Sequence, residues 1–207
     1  MKTVLLVISV FVSITSAYNQ KYQKGNYNGS FGTGFYIGGV STDKEEIDAN
    51  NSALASFIYP VDLTYFITDR WAVGVNYETQ ILVMVEDNKN IRGRIHSEGI
   101  SLKYLTLNKE KNNISFNFNY GFSTLKWHEK TSNEALRANG SYLLTGITYQ
   151  HYYSNLVGIF FGLDLLNINY SYVRNKRDEY LTYDYGANLI NISVTGAKIS
   201  AGLCLKF

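Results

Sequence analysis

The chain is poor in the features that most often betray a protein's class. It has a single cysteine, Cys204, in 207 residues, which excludes an internal disulfide framework and a cysteine-built zinc cluster. Charged residues make up only 17% and aromatics as much as 15%; a disordered chain shows the opposite balance. The formal net charge of +2 is too small to argue for nucleic acid or an acidic partner. Past residue 17 no apolar run approaches the ~20 residues of a spanning helix. That excludes a helical membrane protein, but not a barrel with a polar interior.

The first seventeen residues differ from the rest. Lys2 precedes an almost unbroken apolar run from Val4 to Ile14, and Thr15-Ser16-Ala17 closes it with small residues. This is the layout of a cleaved secretory signal, since the run is too short to span a bilayer. No cysteine lies near the cut, so a lipoprotein anchor is excluded. The expectation is an exported protein whose mature chain begins near Tyr18. Residues 18–28 are polar and irregular, and read as a loose periplasmic leader.

Alternation is what the chain has in quantity. In Asn113 to Lys126, Ile114, Phe116, Phe118, Tyr120 and Phe122 share one parity, while Asn113, Ser115, Asn117, Asn119, Gly121 and Ser123 share the other. A strand sends these sets to opposite faces, whereas a helix would scatter them. The same pattern recurs in Gly29 to Val40, Ala53 to Phe66, Trp71 to Val85, His96 to Leu107, Gly140 to His151, Val157 to Tyr170 and a last strand ending at Phe207. In that last strand Ile190, Ile192 and Val194 oppose the parity of Ile199, Leu203 and Phe207. A bulge or a break near Thr195-Gly196 is therefore predicted. A helical turn is predicted at Asn133 to Arg137.

Eight strands are joined by alternately long and short connections, the long ones following the first, third, fifth and seventh. The even number lets the first strand pair with the last and leaves no open edge. Alternation by itself does not tell inside from outside, because a soluble lipocalin-like barrel shows it too. Lipid outside is favoured by a second face built of Gly, Ser, Asn and Thr. Aromatics near strand ends (Tyr65, Phe66, Trp71, Trp127, Tyr149, Tyr170, Phe207) and charges gathered in the long connections point the same way. The predicted fold is all-β: a closed, eight-stranded, antiparallel, up-and-down transmembrane β-barrel over residues 29–207.

Leu203, Leu205 and Phe207 alternate to a terminal aromatic. In pattern, length and terminus the chain resembles the small eight-stranded bacterial outer-membrane barrels, the outer membrane protein X-like proteins and the OmpA-type transmembrane domain. The resemblance implies a Gram-negative outer-membrane location, with lipid and the barrel-assembly machinery as partners and these three residues as the assembly signal. No family-specific motif accompanies it, so it implies architecture rather than an activity.

Chemistry is sparse. His96-Ser97-Glu98 holds residue types used by lipid-modifying barrels, but a strand points His96 and Ser97 to opposite faces, and a nucleophile and its base must meet. His128 and His151 have no acid and nucleophile placed with them, and isolated histidines make no metal site. No cofactor is expected. Asp62, Glu78, Lys103, Asp164 and Lys198 share the inward parity, as does Cys204. In a narrow lumen buried charges need partners, and neighbouring strands suggest Glu78 with Lys103 and Asp164 with Lys198. Such a network is a polar plug, a gated ion path or part of a substrate-binding lumen. Tyr172, Arg174, Lys176, Arg177, Tyr180 and Tyr183 make the most distinctive outer loop, a composition suited to contact with an extracellular protein or other surface ligand. The sequence thus points to a non-enzymatic outer-membrane barrel serving envelope integrity or surface contact. A narrow channel or transporter for small hydrophobic molecules, and a lipid-modifying enzyme, are the alternatives.

Overall fold

A computed structural model describes residues 21–42, 52–86, 89–129, 135–174, 182–183, 188–189 and 191–207; the predicted signal peptide lies outside them. Seven long strands come first: β1 Tyr27–Thr42, β2 Ser52–Phe66, β3 Trp71–Glu86, β4 Lys89–Asn108, β5 Asn112–Glu129, β6 Ala135–Tyr152 and β7 Val157–Arg174. The two-residue strands β8 (Thr182–Tyr183) and β9 (Asn188–Leu189) pair with each other, and β10 (Ile192–Lys206) completes the chain. The eight long strands form one closed antiparallel barrel, sealed where β1 meets β10 from Asn28↔Lys206 to Thr42↔Ile192. With every ladder paired, no edge is left open.

The connections 67–70, 109–111 and 153–156 mark the lower end. Above them the wall is inside-out by soluble-protein standards. On β5, Phe116, Phe118, Tyr120 and Phe122 are exposed, while Ser115, Asn117, Asn119 and Ser123 are buried. The other strands continue the belt with Phe31, Phe35, Phe57, Val61, Val75, Ile100, Ile147, Leu163 and Ile199, all exposed. A lower girdle of rings includes Tyr27 against Tyr65 and Phe207, with centroids 5.0 and 6.0 Å apart, and Trp71 against Tyr104 at 4.8 Å. Trp71, Tyr149 and Phe207 lie on this outer surface, but Phe66 and Tyr170 are fully buried and belong to the interior. Trp127, on the inward parity of β5, is half-buried.

Near the upper end the pattern inverts without any break in the ladder. On β7, Leu163 and Leu165 face out against Asp164; then Asn167 and Asn169 face out while Leu166, Ile168 and Tyr170 are buried. The same exchange puts Lys126 outside and Leu125 inside on β5, and Arg94 outside and Ile95 inside on β4. The upper barrel is therefore built like a soluble protein, around a core that includes Tyr36, Ile58, Leu82, Tyr142 and Leu144.

This inversion corrects four expectations. The bulge predicted at Thr195-Gly196 is absent, since β10 pairs continuously with both neighbours through Gly39↔Thr195 and Leu166↔Gly196. Val194 is apolar and inward because it lies in the upper core. The bulge on this part of the wall lies at the top of the β6–β7 pair, where Arg137 faces Arg174 and Asn139 faces Ser171. Segments read as polar loops are strands with polar outer faces: β4 begins at Lys89 rather than His96, and β6 begins at Ala135, where the helical turn was predicted. The connections after β3 and β5 are correspondingly shorter than expected.

Candidate functional site: the occupied lumen

The inward residues stack into three layers. The lowest is anchored by Tyr22, from the segment predicted to be a loose leader. Its ring is fully buried and stacked on Phe66 at 4.2 Å, and its hydroxyl is bonded to Tyr152. Its backbone N–H donates to Asn108 Oδ1 at 3.0 Å, and Asn108 Nδ2 donates back to the Tyr22 carbonyl at 2.8 Å. Lys206 Nζ lies 5.2 Å from the Tyr22 ring centroid and 5.1 Å from that of Tyr152, within cation–π range. Burial pushes the Tyr22 phenol well above its ordinary range, so it stays protonated. Tyr22 thus packs into the lower end of the barrel interior, and Cys204 lies in the same cluster.

The middle layer holds all five predicted inward charges. Lys198 Nζ lies 2.7 Å from Glu78 Oε2 and 3.2 Å from Asp164 Oδ2, and Lys103 pairs with Asp62. The Asp164 contact is the expected one, since β7 and β10 place the two residues directly opposite. A Cβ on Gly146, the other cross-strand neighbour of Asp164, would collide with its carboxylate. The expected Glu78–Lys103 pair does not form. The β3–β4 register sets Lys103 opposite Ala72, which at ~3.3 Å per residue leaves Glu78 roughly 20 Å further up the strand. Barrel stagger instead brings Glu78 across the lumen to Lys198, and Asp62 across β3 to Lys103.

Neutral groups hold this layer in place. Gln80 Nε2 donates to Glu78 Oε1 at 2.9 Å, Tyr142 Oη to Asn76 Oδ1 at 2.5 Å, and Asn117 Nδ2 to Thr148 Oγ1 at 2.6 Å. Between them remains a space of about 60 Å³, large enough to hold water. Above it Ser97 Oγ donates to Ser123 Oγ at 3.0 Å, Ser123 Oγ and Tyr170 Oη lie 2.9 Å apart, and the apolar upper core closes over them.

The remaining candidates do not converge. Ser97 is buried inside, whereas His96 is on the outer wall with Nδ1 3.0 Å from Tyr77 Oη and 3.1 Å from Thr79 Oγ1. Glu98 is exposed beside Tyr77 and Phe122. His151 Nδ1 is 2.8 Å from Asn112 Oδ1. The side chain of His128 lies outside the described residues. Among the described residues no cluster of three His, Cys, Asp or Glu could hold a metal ion. Arg174 stands at the top of β7 on the wall, while Lys176, Arg177 and Tyr180 lie outside the described residues, as do the side chains of Tyr172 and Tyr183. Leu203, Leu205 and Phe207 face outward along the seam, where Phe207 N donates to the Tyr27 carbonyl at 3.1 Å.

No family model and no curated protein matches the sequence. Solved structures do match. Neisserial surface protein A superposes with a TM-score of 0.55 at 14% identity, covering 89% of this chain and 98% of that one. The outer membrane protein OprG from Pseudomonas aeruginosa superposes with a TM-score of 0.58 at 11% identity, covering 90% and 97%. The fold is that of a small outer-membrane barrel. Identities this low carry the architecture and nothing finer. In outer-membrane barrels the outward apolar belt meets lipid, and inward side chains of this one form layers between its lower rim and its upper core.

Proposed function

We propose that the protein is a non-enzymatic outer-membrane barrel of a Gram-negative cell, a closed scaffold that serves envelope integrity or surface contact. The observation that carries this reading is the occupied lumen, in which the Tyr22 stopper, the ion-paired layer and the upper core succeed one another. On this reading the exposed belt lies in the bilayer and the upper barrel projects beyond it, raising the outer connections toward partners at the cell surface. A chain made this way reaches its membrane through a cleaved signal, and its seam residues Leu203, Leu205 and Phe207 are offered to the assembly machinery. The outer loop with Tyr172, Arg174, Lys176, Arg177, Tyr180 and Tyr183 remains the contact surface this reading favours.

The test combines location with closure. The protein should fractionate with the outer membrane, start near Tyr18, and run as a heat-shifted band in SDS. It should also give no stable conductance steps in planar bilayers. Regular single-channel steps would favour the channel reading instead, and lipid A that changed mass only in cells carrying the protein would favour the enzyme.

A further inference from the structure

The upper wall carries a row of cations facing one another across successive ladders. Arg94 on β4 is directly opposite Lys126 on β5, Lys126 is opposite Arg137 on β6, and Arg137 is opposite Arg174 on β7. The first three are exposed and Arg174 is half-exposed. Like charges set directly across a ladder destabilise a sheet, and here successive pairs repeat the fault. Among the described residues no carboxylate lies within ion-pair distance of Arg94, Lys126 or Arg137. Glu98, the acid nearest below, lies four residues from Arg94 along β4. A concavity of about 240 Å³ opens among Lys126, Arg137, Arg174, Thr124 and Asn139, large enough for a phosphate group.

Position narrows the partner. Four residues below Lys126 on β5 is Phe122, 75% exposed at the top of the apolar belt, so at ~3.3 Å per residue the cations stand roughly 13 Å along the strand above it. Flexible cationic side chains span part of that distance by reaching down toward a membrane interface. Directly beneath lies an apolar groove of about 470 Å³ lined by Val75, Tyr77, Ile100 and Phe122, with Glu98 at its edge. The residues below the row, Glu98, Phe122, Ser141 and Asn169, are themselves opposite one another across successive ladders.

We propose that Arg94, Lys126, Arg137 and Arg174 form a binding site for the phosphate groups of an outer-leaflet glycolipid, with its acyl chains on the belt beneath. Guanidinium and ammonium groups give charge-assisted bonds to phosphate oxygens, bidentate for arginine. The site rests on the outer-membrane reading above, and its test keeps the two apart.

The test uses the full chain folded in detergent, with lipid binding followed by native mass spectrometry. Three probes are titrated: bisphosphorylated lipid A, the same lipid stripped of phosphate, and soluble inositol hexakisphosphate. The wild type should prefer the phosphorylated lipid. The variant R94Q/K126Q/R137Q should lose on the order of a hundredfold in affinity, at about fivefold per cation, and should bind both lipids alike. A K109Q control at the lower rim should behave as wild type. If the triple variant does not fold, R137Q alone should lose about fivefold. Equal wild-type affinity for the two lipids, or unchanged affinity in the folded variants, would overturn the site. Inositol hexakisphosphate binding as tightly as the lipid would overturn its assignment to a membrane ligand. A wild-type chain that never gives the heat-shifted SDS band fails the barrel reading instead, independently of these affinities.

Discussion

Lys198 is the residue on which the interior depends most. It is buried between two carboxylates, Glu78 and Asp164, whereas Lys103 serves Asp62 alone in a slightly wetter part of the lumen. Stranding a buried charge costs about 3–5 kcal/mol, so Lys198→Met should lower the unfolding free energy in lipid vesicles by about that much. Lys103→Met should cost less, and adding Glu78→Gln to Lys198→Met should recover part of the loss. Urea titration followed by tryptophan fluorescence measures all three; equal losses for the two lysine variants would contradict the three-way cluster. Parity alone marked these five residues as inward, because a strand side chain has only two directions to choose from. Their partners were less legible. Asp164 and Lys198 are neighbours in one ladder, but Glu78 meets Lys198 only because the closed sheet staggers.

Strand β10 shows why one expectation failed. A change in the parity of apolar residues has two physical causes: the strand slips by one residue, or its surroundings exchange inside for outside. The sequence around Thr195 is the same in both cases, and only the unbroken pairing with β1 and β7 decides for exchange. The two causes make opposite predictions. With Val194 buried and Thr195 exposed, Val194→Asp should destabilise the barrel by about 2–5 kcal/mol, the range for burying a polar group without a partner or losing a core side chain. Thr195→Asp should stay within about 0.5 kcal/mol. A shift of apparent stability in the reverse order would restore the bulge. The strands that keep one pattern through the belt were legible from their alternation. Their upward extensions were hidden, since Arg94 and Asn139 read as loop residues to any rule that expects apolar residues outside. Tyr22 had no sequence signal at all, being one tyrosine in a polar leader.

On the proposed reading the interior closes at three levels that share few residues, and closure should therefore survive damage to any one of them. Tyr22 is the easiest to remove, because it precedes β1 and contributes nothing to the barrel ladders. Tyr22→Ala abolishes the stack on Phe66 and the hydroxyl contact with Tyr152. Truncating a buried aromatic of this kind costs about 3–5 kcal/mol, so the unfolding midpoint should fall. Conductance should not change. Ions entering from the lower rim would meet the charged layer of Lys198, Glu78, Asp164, Lys103 and Asp62, which borders a space of about 60 Å³. Beyond it stands the core of Tyr36, Ile58, Leu82, Tyr142 and Leu166, where a bare ion would lose its hydration with nothing to replace it. Planar bilayers in high salt should thus remain silent with Tyr22→Ala, even as urea unfolds the variant earlier. Steps that appeared in this variant but not in the wild type would make the Tyr22 segment a gate on a conducting lumen, and would show that the upper core opens on the timescale of ion passage.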